Sequence, residues 1–210
     1  IDQKTLRVTK RRDVWRIDSR IGGEFQLDND YYANNPWDRG HLARRTSAAW
    51  GDGREAQIAS DETFYFSNSA LQHANFNQDE WLALEDWTAA LTLASNDKVS
   101  VFSGPVWFDH PRSITPQGRR TALIPSAFFK VVCFINQQEK LDVRAFLMTQ
   151  DAEALADKAT RKLFDHQTYQ VSVMDIEDLT GLIFSDIVAA ANPLFFTASD
   201  TTRSRLNISH

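Results

Sequence analysis

Two long apolar runs on either side of a short polar segment constrain the fold of this chain more than any other feature. The runs TALIPSAFFKVVCFIN (residues 121–136) and KLDVRAFLMTQ (residues 140–150) are rich in β-branched and aromatic residues, which favour strands. The polar segment QQEK between them is short enough for a hairpin connection, so the two strands are predicted to pair antiparallel. An antiparallel sheet is therefore expected at the centre of the fold.

Helices are predicted to flank this sheet. Residues 79–95 carry large apolar side chains at helical spacing, and the polar residues 77–79 supply a helix start. Further strands are predicted over 63–68, 98–108 (interrupted at Gly104-Pro105) and 169–174, and further helices over 151–166 (capped by Asp151) and 175–191. Residues 69–78 are predicted to form a loop. Strands interleaved with helices in this way predict an α+β fold with a mainly antiparallel central sheet.

The length of the chain predicts a single domain. Its 210 residues, 42% of them hydrophobic and 24% charged, are enough to build one sizeable core. We interpret residues 1–210 as one domain, with residues 1–23 as a basic N-terminal arm or edge strand and residues 192–210 as an irregular C-terminal tail. The single cysteine, Cys133, lies in an apolar run and is expected to be a buried thiol.

Targeting signals are not apparent in the sequence. Apolar runs stay well short of the roughly 20 residues that span a bilayer, and the first residues do not resemble a signal peptide, so no membrane partner is expected. The sequence begins with Ile1 rather than methionine, which we interpret as a processed or excised domain. These features leave the cellular compartment open.

The distribution of charge matters more than its sum. The net charge is −5, which argues against a simple nucleic-acid-binding domain. Residues 1–20, however, carry seven Lys/Arg against three Asp/Glu. A locally basic groove on an acidic body is typical of an enzyme that binds a polyanion and releases it, although solvated surface charge is an equal alternative.

The tetrapeptide Asp38-Arg39-Gly40-His41 is the first candidate site. His41 has the unperturbed pKa of a general base that works near neutrality, and the planar guanidinium of Arg39 matches phosphate oxygens. Gly40 permits a positive φ or a close backbone approach, and Asp38 is expected to orient Arg39 or the backbone. The alternative is a surface ion pair beside a histidine with ordinary hydrogen bonds.

The second candidate site combines Asn68, Asn77 and Glu85. Eight helical residues turn through about 800°, which leaves Asn77 and Glu85 within about 80° of each other on one helix face. An amide oxygen and a carboxylate can hold Mg²⁺, which needs few protein ligands because it keeps several waters. The alternative is a capped amphipathic helix whose asparagines only form loops.

Taken together, the two groups resemble the DNA/RNA non-specific endonuclease family, the ββα-metal (His-Me finger) nucleases of the endonuclease G and Serratia nuclease type. The resemblance extends over roughly residues 25–190 in the order of the family. The matching segments are DRGHL (38–42), TFYFSN (63–68), FNQDEWLALE (76–85), FSGPVWF (102–108), IPSAFFKVV (124–132) and IEDLTGLIF (176–184).

The resemblance implies a role for each matching residue. His41 corresponds to the general base that activates water, and Asn77 to the direct ligand of a single hydrated Mg²⁺ ion, for which Mn²⁺ or another divalent ion is an alternative. Glu85 corresponds to the residue that holds the water shell of the metal. Asn68 corresponds to an asparagine near the base and the phosphate, and Arg39 to a phosphate-binding arginine. Products with a 5′-phosphate are implied.

The sequence also departs from the family pattern. Arg44 and Arg45 follow the histidine where many members have small residues and proline, and residues 46–62 look longer than in compact members. Arg44 and Arg45 are candidate phosphate contacts or, equally, ordinary exposed cations.

The function predicted from the sequence is therefore a metal-dependent, non-specific endonuclease acting on DNA, RNA or both. The alternatives are a catalytically silent nucleic-acid-binding module, or a toxin or effector nuclease domain controlled by a partner. A homodimer and an inhibitor or fused regulatory domain are the other partners considered.

Overall fold

The computed structural model describes residues 1–94, 98–150 and 169–194. The strands are β1 (Trp37–His41), β2 (Ser69–His73), β3 (Val99–Val106), β4 (Ser113–Ile114), β5 (Ala122–Leu123), β6 (Ala127–Ile135), β7 (Leu141–Thr149) and β8 (Gln170–Val171). The helices are α1 (Arg45–Ala48), α2 (Gly53–Glu62), α3 (Ala74–Phe76), α4 (Leu82–Ala94), α5 (Val173–Thr180) and α6 (Asp186–Ala190). A π-helical turn, Asn77–Trp81, joins α3 to α4 without a break. The helix predicted over 151–166, and the tail beyond residue 194, lie outside the described residues.

The central sheet has the strand order β3-β6-β7-β8, with every neighbouring pair antiparallel. The hairpin predicted from the two apolar runs is confirmed: β6 and β7 pair from Ile135↔Leu141 to Ala127↔Thr149. Two further antiparallel pairs, β1-β2 and β4-β5, form separate small sheets. The α+β fold with a mainly antiparallel sheet is therefore confirmed.

Strand β6 is apolar except for Lys130, because helices cover both faces of the sheet. Phe129, Val131 and Cys133 pack in one buried cluster with residues of α5 and α6. Their neighbours in the strand, Phe128 and Val132, pack in a second buried cluster with residues of the α4 side. Alternate side chains of a strand point to opposite faces, so both sets are buried, and Cys133 is a buried thiol as expected.

The predicted strand over residues 63–68 is wrong. Its aromatic residues Phe64 and Phe66 are buried as packing groups, and the segment ends in a 3₁₀ turn at Phe66–Asn68. The strand β2 follows, where a loop was predicted, and pairs with β1 in the register Gly40↔Ala70. The alternation that marks a half-buried strand is missing in β2 because Leu71 and Gln72 are both fully buried.

Two predicted elements have different bounds. Strand β3 runs through Gly104-Pro105 without interruption, because it is an edge strand of the sheet and tolerates a proline. Gly104 pairs with Phe129 of β6, and a Cβ at Gly104 would lie 2.6 Å from the Phe129 ring. The close contact between these two positions therefore requires glycine. The helix predicted over 175–191 is divided, because Gly181 adopts a left-handed conformation (φ 68°) that ends α5.

Helix α2 was not predicted, although the sequence contains its start signal. Asp52 accepts hydrogen bonds from the backbone N–H groups of Arg54 and Glu55, and the Glu55 carboxylate accepts one from the Asp52 N–H. This reciprocal capping box fixes the first turn. Residues 46–62 are thus not a long linker but contain two helices.

The N-terminal segment is bound to the domain by isolated bridges rather than as an edge strand. These bridges pair Asp2 with Lys98, Leu6 with Trp50 and Arg16 with Tyr65. The backbone of Arg16 also donates to Phe64 O and accepts from Phe66 N–H. The arm therefore crosses the segment that leads into β2. In the described part of the chain, no helix combines the length and apolar character needed to cross a bilayer.

Gln150 joins the small β1-β2 hairpin to the central sheet. Its buried amide donates to Leu71 O (3.0 Å) and Pro125 O (2.7 Å), and it accepts from His73 N–H (2.9 Å). These bonds fix β2 beside the end of β7. Because His73 immediately precedes α3, the same bonds fix the start of the helix that follows.

Candidate active site

The predicted site residues meet in a polar cavity of about 740 Å³ between β1, the helix that follows β2, and the N-terminal arm. The lining side chains include Arg11, Trp15, Asp38, Arg39, His41, Arg44, Arg45, Asn77, Gln78 and Glu85. The sequence had singled out six of these as site residues from two separate segments. The structure places all six around one cavity.

His41, the last residue of β1, packs in a cluster with two aromatic rings that also contact each other. Its ring centroid lies 4.9 Å from that of Trp15 and 5.1 Å from that of Phe64. Its Nε2 is buried and has no hydrogen-bond partner among the described residues. Burial, and secondly the positive charge of Arg11, lower the pKa of His41 to about 4. The imidazole is therefore neutral at neutral pH and can accept a proton.

Gly40 serves close approach rather than a positive φ. A side chain at this position would collide with the amide of Gln72 on β2. Gln72 is fully buried, so it cannot move out into solvent to make room. Gly40 therefore lets the β1-β2 hairpin close tightly beside His41.

Asp38 binds two side-chain amides of the π-helical turn. The sequence predicted instead that it would orient Arg39 or the backbone. The Oδ2 of Asp38 accepts from Asn77 Nδ2 (2.9 Å) and Gln78 Nε2 (2.9 Å). A carboxylate can only accept hydrogen bonds, so the atom of Asn77 that faces it must be the amide nitrogen. This contact orients the amide of Asn77 and leaves its Oδ1 available as a ligand.

Asn77 lies within a continuous helix and does not start it. The helix begins at Ala74, and the side chain of His73 caps it by accepting from Asn75 N–H. Asn77 opens the π-helical turn, a wide turn that recurs at functional sites. Eight residues later, Glu85 lines the same cavity, as the helical spacing had predicted.

Glu85 is a buried carboxylate, 8% exposed, between two cations. Its Oε2 lies 3.7 Å from Arg44 Nε, and its Oε1 lies 4.0 Å from Lys130 Nζ. Burial raises the pKa of Glu85, while Lys130 and Arg44 act against that rise. Its Oε1 accepts no hydrogen bond from the described residues. A buried carboxylate oxygen without a hydrogen-bond donor can accept a hydrogen bond from a water molecule, including one bound to a cation.

Lys130 lies beside Glu85 in the structure but was not predicted from the sequence. Its ammonium lies 4.4 Å from the centroid of the Trp81 ring as well as beside Glu85, and burial lowers its pKa. The sequence did contain a sign of this buried charge, because Lys130 is the one charged residue within the otherwise apolar strand AFFKVVCFI. A charge in a strand covered on both faces needs a buried partner.

The N-terminal arm supplies two more residues that were missed. Arg11 and Trp15 line the cavity beside His41. The sequence indicated only that this segment is basic. No local pattern shows that an arm 26 residues before His41 returns to pack on its ring.

The three predicted phosphate-binding arginines differ in their contacts. Arg39 donates from Nε to Asn29 Oδ1 (3.0 Å) and lies 5.2 Å from the centroid of the Tyr32 ring. Arg44 donates to Asp86 Oδ1 (2.6 Å). The guanidinium of Arg45 instead holds the arm to α2, donating to Thr9 Oγ1 (2.9 Å) and Ser60 Oγ (3.4 Å).

Asn68 is the one predicted site residue that does not line this cavity; its amide binds the backbone on either side instead. Its Oδ1 accepts from Ala43 N–H (2.9 Å), and its Nδ2 donates to Ala43 O (3.0 Å) and Thr63 O (3.0 Å). The backbone of Asn68 also accepts from Leu42 N–H. These bonds fix the segment directly after His41, and Asn68 also lines the adjoining cavity that Arg44 and Glu85 border.

The residues of the cavity fit a hydrated divalent cation. The described residues contain no group of three or more His, Cys, Asp or Glu side chains that could enclose a metal. Mg²⁺ does not need one, because it retains several waters and takes few protein ligands. Asn77 Oδ1 could bind the ion directly, and Glu85, with its unpartnered Oε1, could hold the water around it.

Comparison with known proteins gives the family. The family model for DNA/RNA non-specific endonucleases matches residues 1–191. The uncharacterized protein y4fB of Sinorhizobium fredii is 33% identical over 194 residues, which cover 86% of this chain and 28% of that protein. Human mitochondrial endonuclease G is 30% identical over 193 residues (88% of this chain, 61% of that protein). Nuclease C1 of Cunninghamella echinulata is 30% identical over 189 residues (85% and 69%).

A chain in the crystal structure of the EndoG/EndoGI complex shares the fold. It superimposes with a TM-score of 0.63 at 24% identity, and the match covers 84% of this chain and 69% of that chain. The chain spans less than two thirds of the length of y4fB and of endonuclease G. The match to the family model nevertheless extends over both halves of the polar cavity. The chain belongs to the DNA/RNA non-specific endonuclease family.

Proposed function

We propose that this chain is a divalent-metal-dependent endonuclease that hydrolyses phosphodiester bonds in DNA and RNA. The observation that carries this proposal is the composition of the polar cavity. A neutral imidazole, an oriented amide oxygen and a buried carboxylate oxygen without a hydrogen-bond partner lie together among arginines. The names of the relatives, endonuclease G and nuclease C1, support the same reaction.

His41 acts as the general base. Its burial keeps the ring neutral, so it can accept a proton from the water that attacks phosphorus. Trp15 and Phe64 pack against the ring and hold its orientation. Displacement of the 3′ oxygen then leaves a 5′-phosphate on one product and a 3′-hydroxyl on the other.

Asn77 and Glu85 are the residues that would hold the cation, the first directly and the second through bound water. Mg²⁺, or Mn²⁺ in its place, would supply Lewis-acid neutralisation of the charge on the phosphate. Asp38 binds the amide nitrogen of Asn77 and thereby leaves the amide oxygen free, so that this oxygen could bind the ion. Lys130 and Arg44 oppose the rise that burial causes in the pKa of Glu85 and so favour its charged form.

Low sequence specificity follows from the side chains of the cavity. Four arginines line it: Arg11, Arg39, Arg44 and Arg45. Guanidinium groups bind phosphate oxygens, which are the same in every nucleotide and carry no sequence information. We therefore infer that the arginines bind the sugar-phosphate backbone of the nucleic acid and that the protein cleaves many different sequences.

A protein inhibitor is a further candidate partner. The structural relative was solved as a complex described as showing the mechanism of EndoG inhibition. A cavity lined by arginines offers an acidic inhibitor the same contacts as a phosphate backbone.

Digestion of plasmid DNA and of RNA tests the proposal. The purified protein is incubated with Mg²⁺, with Mn²⁺ or with EDTA, and the product ends are identified by their susceptibility to a phosphatase and a 5′-phosphate-dependent exonuclease. Cleavage of both substrates that needs the metal and leaves 5′-phosphates is expected. Metal-dependent binding of nucleic acid without cleavage would instead establish the silent binding module.

A further inference from the structure

A second cavity, of about 820 Å³, adjoins the polar cavity and has a different character. Arg44 and Glu85 line both cavities and therefore form the boundary between them. We call this second cavity the apolar groove. Its walls include Phe102 on β3 and the segment between α5 and α6, which contributes Leu182, Ile183 and Phe184.

Three apolar side chains on the rim of this groove, Phe102, Leu182 and Ile183, are exposed to solvent. Phe102 is 48% exposed and Ile183 is 93% exposed. The ring of Phe102 meets that of Phe184 edge to face, with centroids 5.5 Å apart, so the aromatic wall is held in place. An exposed apolar surface next to a polar site usually marks binding of a ligand.

The continuity of the two cavities indicates what that ligand is. A phosphate held by Arg44 would carry its own nucleotide across the boundary, since a base and its sugar are covalently attached to the phosphate. A cationic phosphate path beside exposed aromatic rings is the combination that binds single-stranded nucleic acid. A base in a duplex would first have to leave its stack, which costs free energy.

We propose that the apolar groove of Phe102, Ile183 and Phe184 binds an unstacked base of the nucleotide next to the phosphate at Arg44. The substrate class favoured by this site is therefore an unpaired strand, either single-stranded DNA or RNA, over a duplex. This inference rests on the proposed nuclease function.

Phe102→Ala and Ile183→Ala test the groove, with Phe25→Ala as the matched control. Phe25 is 75% exposed and does not line either cavity. The substrates are a labelled oligonucleotide, the same strand in a duplex, and the same strand with one abasic residue moved along it. The parent is expected to cleave the single strand about tenfold faster than the duplex.

Phe102→Ala is expected to lose about tenfold in kcat/KM on the single strand, the effect of one base–aromatic stack. Ile183→Ala removes an apolar contact and should lose a smaller factor, about threefold, and both variants should change little on the duplex. Phe102→Trp is expected to retain the activity of the parent, because it keeps an aromatic face. For the parent, an abasic residue should reduce cleavage of one particular phosphodiester bond, the bond at a fixed number of nucleotides from the missing base. Phe102→Ala should cleave that bond equally well with and without the base. Equal activity of Phe102→Ala, Ile183→Ala and Phe25→Ala on the single strand would overturn the proposal.

A direct binding measurement tests the groove independently of the proposed nuclease activity. Fluorescence anisotropy of the labelled single strand is measured on His41→Asn with and without Phe102→Ala. About tenfold weaker binding by the double variant supports the groove even if the parent cleaves nothing, in which case only the nuclease proposal fails. Unchanged binding together with loss of a dimer, measured by analytical ultracentrifugation, would show that a second copy of the chain occupies the groove instead.

Discussion

Asn77 donates its amide hydrogen to Asp38 across 2.9 Å, and this bond joins the strand that ends in His41 to the helix that carries Glu85. Both halves of the candidate site are thereby fixed relative to each other. The same bond decides which end of the Asn77 amide is free. In the proposed metal site, Asp38 would therefore be a positioning residue for Asn77.

Removal of the Asp38 carboxylate should weaken metal binding without removing a ligand. In Asp38→Ala the amide of Asn77 can rotate, so we expect the Mg²⁺ concentration for half-maximal cleavage to rise about 10- to 100-fold. Titration of cleavage with Mg²⁺ measures this change, with Asp109→Ala as the exposed control. A half-saturation equal to that of the control would remove Asp38 from this role.

The pH dependence of cleavage should report the burial of His41. In the proposed mechanism the neutral imidazole of His41 is the base, so activity should rise with pH through the pKa of His41. Because that pKa is lowered to about 4, the rise should lie well below the usual 6.5. Arg11→Gln removes a positive charge that lowers this pKa, so its acid limb should move to higher pH. Profiles of kcat/KM against pH for both proteins measure the shift. A parent limb at 6.5 or above, unmoved by Arg11→Gln, contradicts the account.

Breaking the buried pair of Lys130 and Glu85 should lower both the stability of the protein and its cleavage activity. Lys130→Met leaves Glu85 buried beside one cation fewer, which raises its pKa and should lower the free energy of unfolding by about 3 kcal/mol. Cleavage at pH 7 should fall at least about tenfold because a protonated Glu85 holds cation-bound water poorly.

The double variant Lys130→Met/Glu85→Gln separates the two effects. It should recover most of the lost stability, since no unpaired charge stays buried, but none of the activity. Thermal melts and cleavage assays measure both properties, and Lys140→Met is the exposed control. Full activity in the double variant would exclude Glu85 from the site.

Asn68→Asp should impair the base without affecting the metal. The variant keeps the acceptor for Ala43 N–H but loses both donors, to Ala43 O and Thr63 O. We expect kcat to fall about tenfold through misplacement of His41, with an unchanged Mg²⁺ half-saturation. A large rise in that half-saturation would indicate that Asn68 serves the metal after all.

The sequence predicted the site better than the elements around it. Residue type and spacing made His41, Asn77 and Glu85 candidates, and the resemblance to the nuclease family gave each a predicted role. Strands β6 and β7 were predicted because their apolar runs are long. Strand β2 was missed because burial on both faces removes its alternation. The contacts of Asp38, Trp15 and Lys130 join segments distant in sequence, so only the folded chain reveals them. Their roles in catalysis stay predictions.

The most direct test of the account compares His41→Asn with His110→Asn. His110 is exposed and has a positive φ of 59°, which asparagine tolerates, so the same substitution there should be harmless. Single-turnover cleavage of a labelled strand is measured with Mg²⁺ for both variants and the parent. We expect His110→Asn to match the parent and His41→Asn to lose at least about 100-fold while still binding the strand. Cleavage by His41→Asn at the rate of His110→Asn would show that His41 is not the base.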